Sequence, residues 1–326
     1  MQVFSKITSS LQKFGFLYTV FFILKKIGLI KEIPINQLLT RQKYYKSLSL
    51  EQQKKELADY YKNFLGKELH LENPQSFTEK IQWLKFYDST KQKADMSDKY
   101  LAPKIISEKY GDRIKTVPLL GVWKRAEDID FKVLPQKFAL KCTHGSAMNI
   151  IVKDKSKLNI RKVCRKLNGW LKIDYAYING MYENHYTQIE PKIIAEQFIE
   201  EMDGNLHDYK IHCFMGEPKY IQFIGDRIPN THDYYVSFFD TEWKKVDINL
   251  VGKPYQKEFE KPACLDAMLS LARDMAKDYP YVRADFYCIN DEIYFSELTF
   301  TPDSGIMRFN RPELDEEWGK MIEIKS

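Results

Sequence analysis

Short apolar and aromatic runs separated by polar turns dominate the second half of the chain, and they predict β-hairpins. Strands are predicted at residues 138–142, 150–152, 192–199, 208–224 with a turn at 216–218, 234–239, 243–246, 282–288 and 293–300. Helical spacing predicts helices at 37–67, 76–88, 95–110 with a break at Pro103, 157–172 and 265–278. A short strand is predicted at 117–122. Helices mixed with antiparallel hairpins favour an α+β fold over a doubly wound parallel sheet.

The most informative pattern is the pair of strands at 282–288 and 293–300, joined at the turn-forming pair Asn290-Asp291. With a three-residue loop at 290–292, the ladder places Asp285 opposite Glu297, with Cβ atoms about 5 Å apart. Two half-buried carboxylates at that distance must share a proton or hold a cation such as Mg²⁺. Two other interpretations remain open: an exposed hairpin with solvated acids, or a two-residue loop that sends the carboxylates to opposite faces.

A lysine inside an apolar strand is the second informative feature. Lys141 lies in the run FALKC, directly before the polar segment THGSAMN at 143–149. Such a hairpin tip can direct backbone N–H groups at phosphate oxygens while the lysine supplies positive charge. An ordinary strand lysine that faces solvent is the competing interpretation.

The first 31 residues differ from the rest because 14–24 are nearly all apolar and Lys25-Lys26 follow. This run is shorter than the roughly 20 residues that a membrane-spanning helix needs, and no small-residue cleavage site follows it. Two interpretations remain. The segment forms a helix in a membrane interface, with Lys6, Lys13, Lys25 and Lys26 near the headgroups, or a helix packed on the body of the protein.

Composition limits the classes of function. The 326 residues are 44% hydrophobic, which suits a globular chain of two or three small domains or one large one. The net charge of +5 comes from 50 basic and 45 acidic residues without a clustered basic patch, so no nucleic-acid partner is expected. The cysteines are scattered without zinc-site spacing, which predicts reduced thiols in the cytosol: Cys142, Cys164, Cys213, Cys264 and Cys288.

A series of segments in a fixed order resembles one known family. The segments are NPQSFTEKIQWLKFYD, SDKY, FALKCTHGS, IIAEQFIE, DYKIHCFMGEPKYIQ, VRADFY and IYFSELTFTPDSG, and they are similar to the TupA-like ATP-grasp family of bacterial cell-surface polysaccharide loci. The resemblance covers about residues 70–325. It implies an ATP-grasp fold with mixed or antiparallel sheets and flanking helices, behind an N-terminal helical extension. It implies four divisions: the N-terminal helical extension (1–69), an N-terminal ATP-grasp subdomain (70–135), a central subdomain that clamps the nucleotide (136–200) and a C-terminal subdomain with the metal site (201–326).

The resemblance also implies roles for individual residues. Lys99, in a helical Asp98-Lys99 pair, and Lys141 would contact the ATP phosphates. The loop that contains His144, Gly145 and Ser146 would cover these phosphates. The adenine hinge would be Glu196, Gln197, Phe198 and Ile199, and Asp208 and Lys210 would face the ribose and the phosphates. Arg283 would stabilise the transferred phosphoryl group, with Lys141 as its catalytic partner. Mg²⁺ would be held by Asp285, Glu297 and Thr299.

Two departures from the superfamily pattern concern this site. Thr299 stands where many ATP-grasp enzymes have an asparagine ligand, which leaves open whether one or two metal ions bind. The phosphate loop has a single glycine, Gly145, so either its cradle is less extensive or His144 and Ser146 take over some of the contacts.

The implied activity is that of an ATP- and Mg²⁺-dependent carboxylate–amine ligase. Its partners would be a uronic acid of a glycan, which a lipid could carry, and an amine such as an amino acid. The expected location is the cytoplasm, with peripheral membrane contact through residues 1–31. Candidate acceptor contacts are Lys80, Gln82, His144, Arg227 and Arg308. The alternatives are a glycosyltransferase using Asp128-Ile129-Asp130, a sugar kinase, and a binding module without turnover.

Overall fold

A computed structural model describes residues 2–199, 206–227, 234–251 and 257–324, with side chains from residue 7 and without that of Arg227. Its strands form two sheets. The small sheet is antiparallel throughout, in the order β2-β5-β3-β4, from β2 (Leu119–Trp123), β3 (Phe138–Cys142), β4 (Asn149–Val152) and β5 (Ile193–Gln197).

The large sheet has six strands in the order β1-β10-β9-β6-β7-β8. They are β1 (Lys115–Thr116), β6 (Asp208–Phe214), β7 (Glu217–Arg227), β8 (Tyr234–Phe239), β9 (Tyr281–Ile289) and β10 (Glu292–Thr299). All neighbours are antiparallel except β1 and β10, which are parallel. The sheet is therefore mixed, as predicted.

Helices surround both sheets. In chain order they are α1 (Gln2–Lys26), α2 (Ile35–Ser47), α3 (Leu50–Leu65), α4 (Phe77–Tyr87), α5 (Lys91–Ser97), α6 (Leu101–Tyr110), α7 (Ile160–Trp170), α8 (Tyr175–Ile178), α9 (Leu265–Ala276) and α10 (Glu313–Lys320). The predicted start of α4 is confirmed, because Ser76 and Glu79 form a capping box around its first turn. The predicted stop at Gly66 is confirmed by its left-handed backbone at the end of α3.

Each sheet buries one face under a helix. On the small sheet, Phe138, Leu140 and Ile193 pack against α7. On the large sheet, Ile211, Val282 and other alternate residues pack against α9. Because side chains alternate along a strand, the intervening residues fall on the opposite face of each sheet. Helices α4 and α10 cover one end of that face of the large sheet, around Phe214 and Tyr281, and polar side chains follow beyond it.

Several predicted elements are wrong in detail. The helix predicted at 37–67 is two helices, because Ser49 caps a new start at α3. The helix predicted at 95–110 breaks at residues 98–100 and not at Pro103, since the Asp98 carboxylate accepts from the N–H groups of Tyr100 and Leu101 and so begins α6.

Two predicted strands and the cysteine state also differ. The strand predicted at 117–122 is confirmed from Leu119 onward as β2, whereas Val117 and Pro118 lie in the link between β1 and β2, which belong to different sheets. Residues 243–246, predicted to form a strand, follow a turn at 241–242 and pair with the end of β8 only through an isolated bridge from Lys245 to Phe239 and the hydrogen bonds beside it. The reduced state is wrong for Cys264 and Cys288, which form a disulfide, whereas Cys142, Cys164 and Cys213 are free thiols.

Candidate functional site

The hairpin of β9 and β10 places the two predicted metal carboxylates directly opposite each other, but by a different route from the one predicted. The loop has two residues, Asn290 and Asp291, both with positive φ, and Ile289 pairs with Glu292. That register alone would send the carboxylates to opposite faces. A β-bulge between Phe295 and Glu297 inserts one residue into β10 and brings Glu297 opposite Asp285.

Ionisable side chains line one face of the large sheet, which we call the polar face. It consists of Asp208, Lys210 and His212 on β6, Arg283 and Asp285 on β9, and Glu297 and Thr299 on β10. Lys210 pairs in register with Asp285, and His212 pairs with Arg283. The period of two residues thus assembles opposite charges from three neighbouring strands at one place.

Asp285 is fully buried and is held by two cations. Arg283 donates from Nε to Oδ1 and from Nη2 to Oδ2, each at 2.7 Å, and Lys210 Nζ donates to Oδ2 at 2.7 Å. Burial alone would raise the pKa of Asp285, but Arg283 and Lys210 outweigh it and lower the value. Burial alone would lower the pKa of Lys210, but Asp285 outweighs it and raises the value. The group is a charged cluster at neutral pH.

Glu297 is far more accessible than Asp285, with 45% of its side chain exposed. Arg283 Nη2 lies 3.8 Å from Glu297 Oε1 and 2.7 Å from Asp285, so the guanidinium is the cation between the opposed carboxylates. Thr299 Oγ1 accepts from Arg283 at 3.1 Å and donates to Glu297 at 3.2 Å. Burial raises the pKa of the neighbouring Asp208, an effect that Lys210 partly offsets.

The donor chemistry of this group fits magnesium. Carboxylate and hydroxyl oxygens are hard ligands, and Mg²⁺ in nucleotide sites binds one or two carboxylates together with phosphates and water. Within the described ranges, no group of three or more His, Cys, Asp or Glu side chains is arranged to hold a metal ion. Glu297 and Thr299 are the accessible donors, whereas Asp285 would first have to give up a contact with Arg283 or Lys210.

His212 is a buried member of the polar face that the sequence interpretation missed. Its Nδ1 lies 2.8 Å from the Tyr281 hydroxyl and its Nε2 lies 3.3 Å from Gln222 Oε1. Burial, reinforced by Arg283, lowers the pKa of His212 to about 3, so the ring is neutral. The signal was present in the alternation of Asp208, Lys210 and His212 along one strand.

The small sheet presents Lys141 and Glu196 together on the face opposite α7, which we call its outer face. Lys141 Nζ lies 2.5 Å from Glu196 Oε2, so the predicted phosphate ligand and the predicted hinge carboxylate form an ion pair. Strand alternation places three exposed apolar side chains on the same face: Leu119, Val122 and Ile151. A lysine beside exposed apolar groups suits a ligand with a flat ring and an anionic tail.

The loop after β3 adjoins the break between α5 and α6. The Lys99 N–H donates to the Thr143 carbonyl oxygen at 3.3 Å, so Lys99 and this loop are adjacent as the predicted roles require, but Lys99 lies in the break and not in a helix. The Ser146 side chain is exposed. Gly145 packs against the Tyr175 ring so closely that an added Cβ would lie 2.6 Å from Cδ2.

His144 points into the protein. Its ring is buried, with Nε2 3.2 Å from the Trp170 carbonyl oxygen, and burial lowers its pKa. In this structure the imidazole therefore packs beside α7 and does not project from the loop toward a ligand.

Two tyrosines connect the loop after β3 with the polar face. Tyr175, which covers Gly145, packs on Tyr186 with 4.8 Å between ring centroids. Burial raises the pKa of both hydroxyls, and the Glu297 carboxylate contributes to each increase. The Tyr175–Tyr186 pair therefore lies beneath the loop and within electrostatic range of Glu297.

A cavity of about 610 Å³ adjoins the predicted hinge. It is lined by Gln197 and Phe198 at the end of β5, together with Leu120, Val133, Pro135 and others. Phe198 is buried and Gln197 is exposed, while Ile199 is half-buried. Residues 200–205, which follow Ile199, are outside the described residues.

A family model decides between the interpretations of this arrangement. The family described as TupA-like ATPgrasp matches residues 79–323, most of the chain. The chain belongs to the TupA-like ATP-grasp family. The predicted family and the α+β ATP-grasp fold are thereby confirmed. No curated protein sequence matches it.

Solved ATP-grasp structures show distant similarity to this TupA-like protein. The D-alanine–D-alanine ligase of Bacillus anthracis is 18% identical, covers 63% of this chain and 57% of its own, and has a TM-score of 0.38. The L-amino acid ligase of Bacillus licheniformis is 13% identical, covers 78% of this chain and 56% of its own, and has a TM-score of 0.43. The chain thus spans little more than half the length of these ligases, and their substrates are not transferred to it.

The candidate acceptor contacts of the TupA-like protein have other partners. Lys80 Nζ donates to the carbonyl oxygens of Gly319 and Ile322, at the end of α10. Gln82 is buried and donates to the Gly305 carbonyl oxygen at 2.7 Å. Arg308 is exposed beside Phe64, and the side chain of Arg227 is outside the described residues.

The Asp128-Ile129-Asp130 segment begins at the end of a short 3-10 helix (Ala126–Asp128), with both aspartates exposed and Ile129 buried. Asp128 pairs with Arg125 at 2.9 Å, and Asp130 accepts from the N–H of Lys132. Both contacts are local, as in an ordinary solvated turn, so this segment gives no support to the glycosyltransferase alternative.

Proposed function

We propose that the protein is an ADP-forming ligase of bacterial surface polysaccharide biosynthesis that joins a glycan uronic acid to an amino acid or another amine. The observation that carries the proposal is the polar face, where Arg283 and Lys210 surround the opposed carboxylates Asp285 and Glu297. Phosphoryl transfer requires stabilisation of anionic charge and not a protein nucleophile. The family membership and this cluster support the same chemistry.

The proposed reaction has two steps. A carboxylate oxygen of the acceptor attacks the γ-phosphorus of ATP, the bond from that phosphorus to the β,γ-bridging oxygen breaks, and ADP leaves. The amine nitrogen of the second substrate then attacks the acyl carbon, phosphate departs, and the nitrogen loses a proton as the amide forms. Both steps build negative charge on oxygen, so fixed cations lower both barriers.

The chain offers cations on both sides of such a substrate. On the small sheet, Lys141 and the nearby Lys99 would bind the phosphates, and the exposed apolar residues of the outer face would contact adenine. On the polar face, Arg283 would stabilise the transferred phosphoryl group. Mg²⁺, held by Glu297 and Thr299 with Asp285 after it exchanges partners, would neutralise phosphate charge.

The glycan part of the proposal rests on the resemblance to surface-polysaccharide proteins and on the chemistry of the cluster. A uronic acid supplies the carboxylate that the first step requires, and a glycan amide would be the product. We place the reaction in the cytoplasm, where ATP is available.

The test is ADP release by the purified full-length protein with magnesium-ATP, a panel of uronic acid glycosides and mixed amino acids. Glu297→Gln should abolish release. Glu292→Gln is the matched control, because Glu292 is an exposed acid of the same hairpin that pairs with Lys115 away from the cluster. Release that needs both carboxylate and amine supports the ligase. Release with a sugar alone would identify a kinase, and consumption of a sugar nucleotide without ATP would overturn the proposal.

A further inference from the structure

Helix α1 is interrupted and lies against the body of the protein along one side. Gly15 has a non-helical backbone (φ 81°, ψ 173°), which divides the segment in two. Beyond it, Tyr18 and Thr19 are buried, and the Tyr18 hydroxyl accepts from Arg41 Nη1 of α2 at 3.1 Å. Phe14 of α1 packs against Tyr44 of α2. The predicted packing on the body is therefore present on this side.

The opposite side of α1 is also apolar, although it faces away from the protein. At 100° per residue, Phe16, Leu17, Val20 and Leu24 fall within one sector of about 100°, across the helix from Tyr18. Phe16 is 73% exposed and Leu17 is 53% exposed. A helix docked on a soluble protein normally presents polar residues outward.

The exposed apolar surface continues past the end of the helix, where Ile27 and Leu29 are 62% and 69% exposed. We call Phe16, Leu17, Ile27 and Leu29 the apolar strip. Exposed apolar patches of this kind mark contact with a membrane or another protein.

The charges beside the strip favour an anionic surface as its partner. Residues 1–31 contain no Asp or Glu. Lys25, Lys26 and Lys31 are exposed at the end of α1, and Lys13 pairs with Glu56 of α3. Interfacial helices bind anionic lipids by inserting apolar side chains into the membrane and placing neighbouring lysines at the headgroups.

The interruption of α1 at Gly15 argues against a spanning helix. Residues 7–26 are long and apolar enough to cross a membrane by length and composition, contrary to the sequence expectation, and 17% of the window is buried against the protein. The interruption at Gly15 leaves 11 helical residues from 16 to 26. At 1.5 Å per residue they extend about 16 Å, roughly half of a hydrocarbon core of about 30 Å.

We propose that α1 and the turn after it lie in the interface of an anionic lipid membrane, with the apolar strip inserted and Lys25, Lys26 and Lys31 at the headgroups. The proposal does not depend on the ligase activity, because it concerns a surface on the N-terminal extension. It would hold the enzyme beside a glycan carried on a lipid.

The test is co-sedimentation of the full-length protein with vesicles of phosphatidylglycerol and phosphatidylcholine, or of phosphatidylcholine alone. We expect binding to the anionic vesicles that weakens with salt. The double variant Phe16→Ser/Leu17→Ser should lower the partition coefficient at least about tenfold, and Lys25→Gln/Lys26→Gln should do so only on anionic vesicles. The matched control is Leu50→Ser/Ile160→Ser, which removes two exposed apolar side chains elsewhere.

Four results would overturn the proposal. The first is no binding to anionic vesicles, and the second is an equal loss of binding in the control variant. The third is a dimer in solution that the strip variant dissociates while vesicle binding is absent. The fourth is retention on cell membranes after an alkaline carbonate wash, which would indicate a spanning helix. Circular dichroism and thermal unfolding of each variant show that a loss of binding is not a loss of fold.

Discussion

The two opposed carboxylates of the polar face should differ sharply in their contribution to stability. Asp285 is fully buried between Arg283 and Lys210, whereas Glu297 is 45% exposed and lies 3.8 Å from Arg283. Removing one partner from a buried ion pair leaves an uncompensated charge and typically costs about 3–5 kcal/mol. An exposed pair contributes about 0–1 kcal/mol. We therefore expect Asp285→Asn to lower the free energy of unfolding by about 3–5 kcal/mol, and Glu297→Gln by less than about 1 kcal/mol.

Urea unfolding followed by tryptophan fluorescence measures both values, and ADP release measures function in the same samples. Both variants should lose activity, but only Asp285→Asn should lose substantial stability. Adding Lys210→Met to Asp285→Asn should recover part of the loss, because it removes one of the two stranded cations. Because the pKa of Asp285 is lowered by folding, the wild type should lose stability as the pH falls below about 4 and through the pKa of the folded state. The Asp285→Asn variant should lack this loss.

The outcome that refutes this reasoning is equal destabilisation by the two substitutions. It would mean that Arg283 and Lys210 find other partners when the carboxylate charge is removed. Lack of any recovery in the double variant would likewise show that the cluster does not act as one unit.

Three further predictions concern the hairpin, a buried lysine and the neutral histidine. Deleting Ser296, the extra residue of the bulge, should leave Glu297 opposite Asp285 in an unbroken ladder, so ADP release should stay within a few-fold of wild type, as it should in Ser296→Ala; loss of release in the deletion variant alone would contradict this register. Burial lowers the pKa of Lys85 to about 7, below its value in the unfolded chain. From pH 7 to 10 the free energy of unfolding of the wild type should therefore rise, relative to that of Lys85→Met, by up to about 1.4 kcal/mol per pH unit. Parallel plots of unfolding free energy against pH for the two proteins would contradict this. His212→Asn should lower the free energy of unfolding by about 1–3 kcal/mol without changing the shape of the pH–rate profile between pH 5.5 and 8, because the ring is neutral throughout.

The pairing of Asp285 with Glu297 was predictable only in outcome. The aromatic and β-branched composition of both strands predicted the hairpin, but the count assumed a three-residue loop. The structure has a two-residue loop and a bulge, whose effects on the register cancel. A bulge at Ser296 depends on packing against neighbouring strands, which a count along one hairpin does not include.

Local chemistry explains other differences between the sequence interpretation and the structure. Ser49 caps the start of α3, and the Asp98 carboxylate accepts from the N–H groups of Tyr100 and Leu101 where α6 starts, so each interrupts a segment that spacing alone joined into one. The disulfide between Cys264 and Cys288 joins the residue before α9 to β9, and their separation of 24 residues contains no information about that approach. The subdomain boundaries and the individual ATP contacts stay predictions.

Ion pairs among the candidate site residues explain how a site built from so many charges can be stable. Lys141 is paired with Glu196, and Arg283 and Lys210 are paired with Asp285, so cations that the resemblance assigns to phosphates already contact carboxylates. Leaving these cations unpaired in a partly buried site would be costly. Under the proposed function, phosphates would replace carboxylates as partners of the lysines, and Glu297, Thr299 and Asp285 would hold the metal. Each of these cations would then have an anionic partner both before and after binding. Because the exchange requires spatial neighbours from both sheets, the order of residues along the chain does not reveal it.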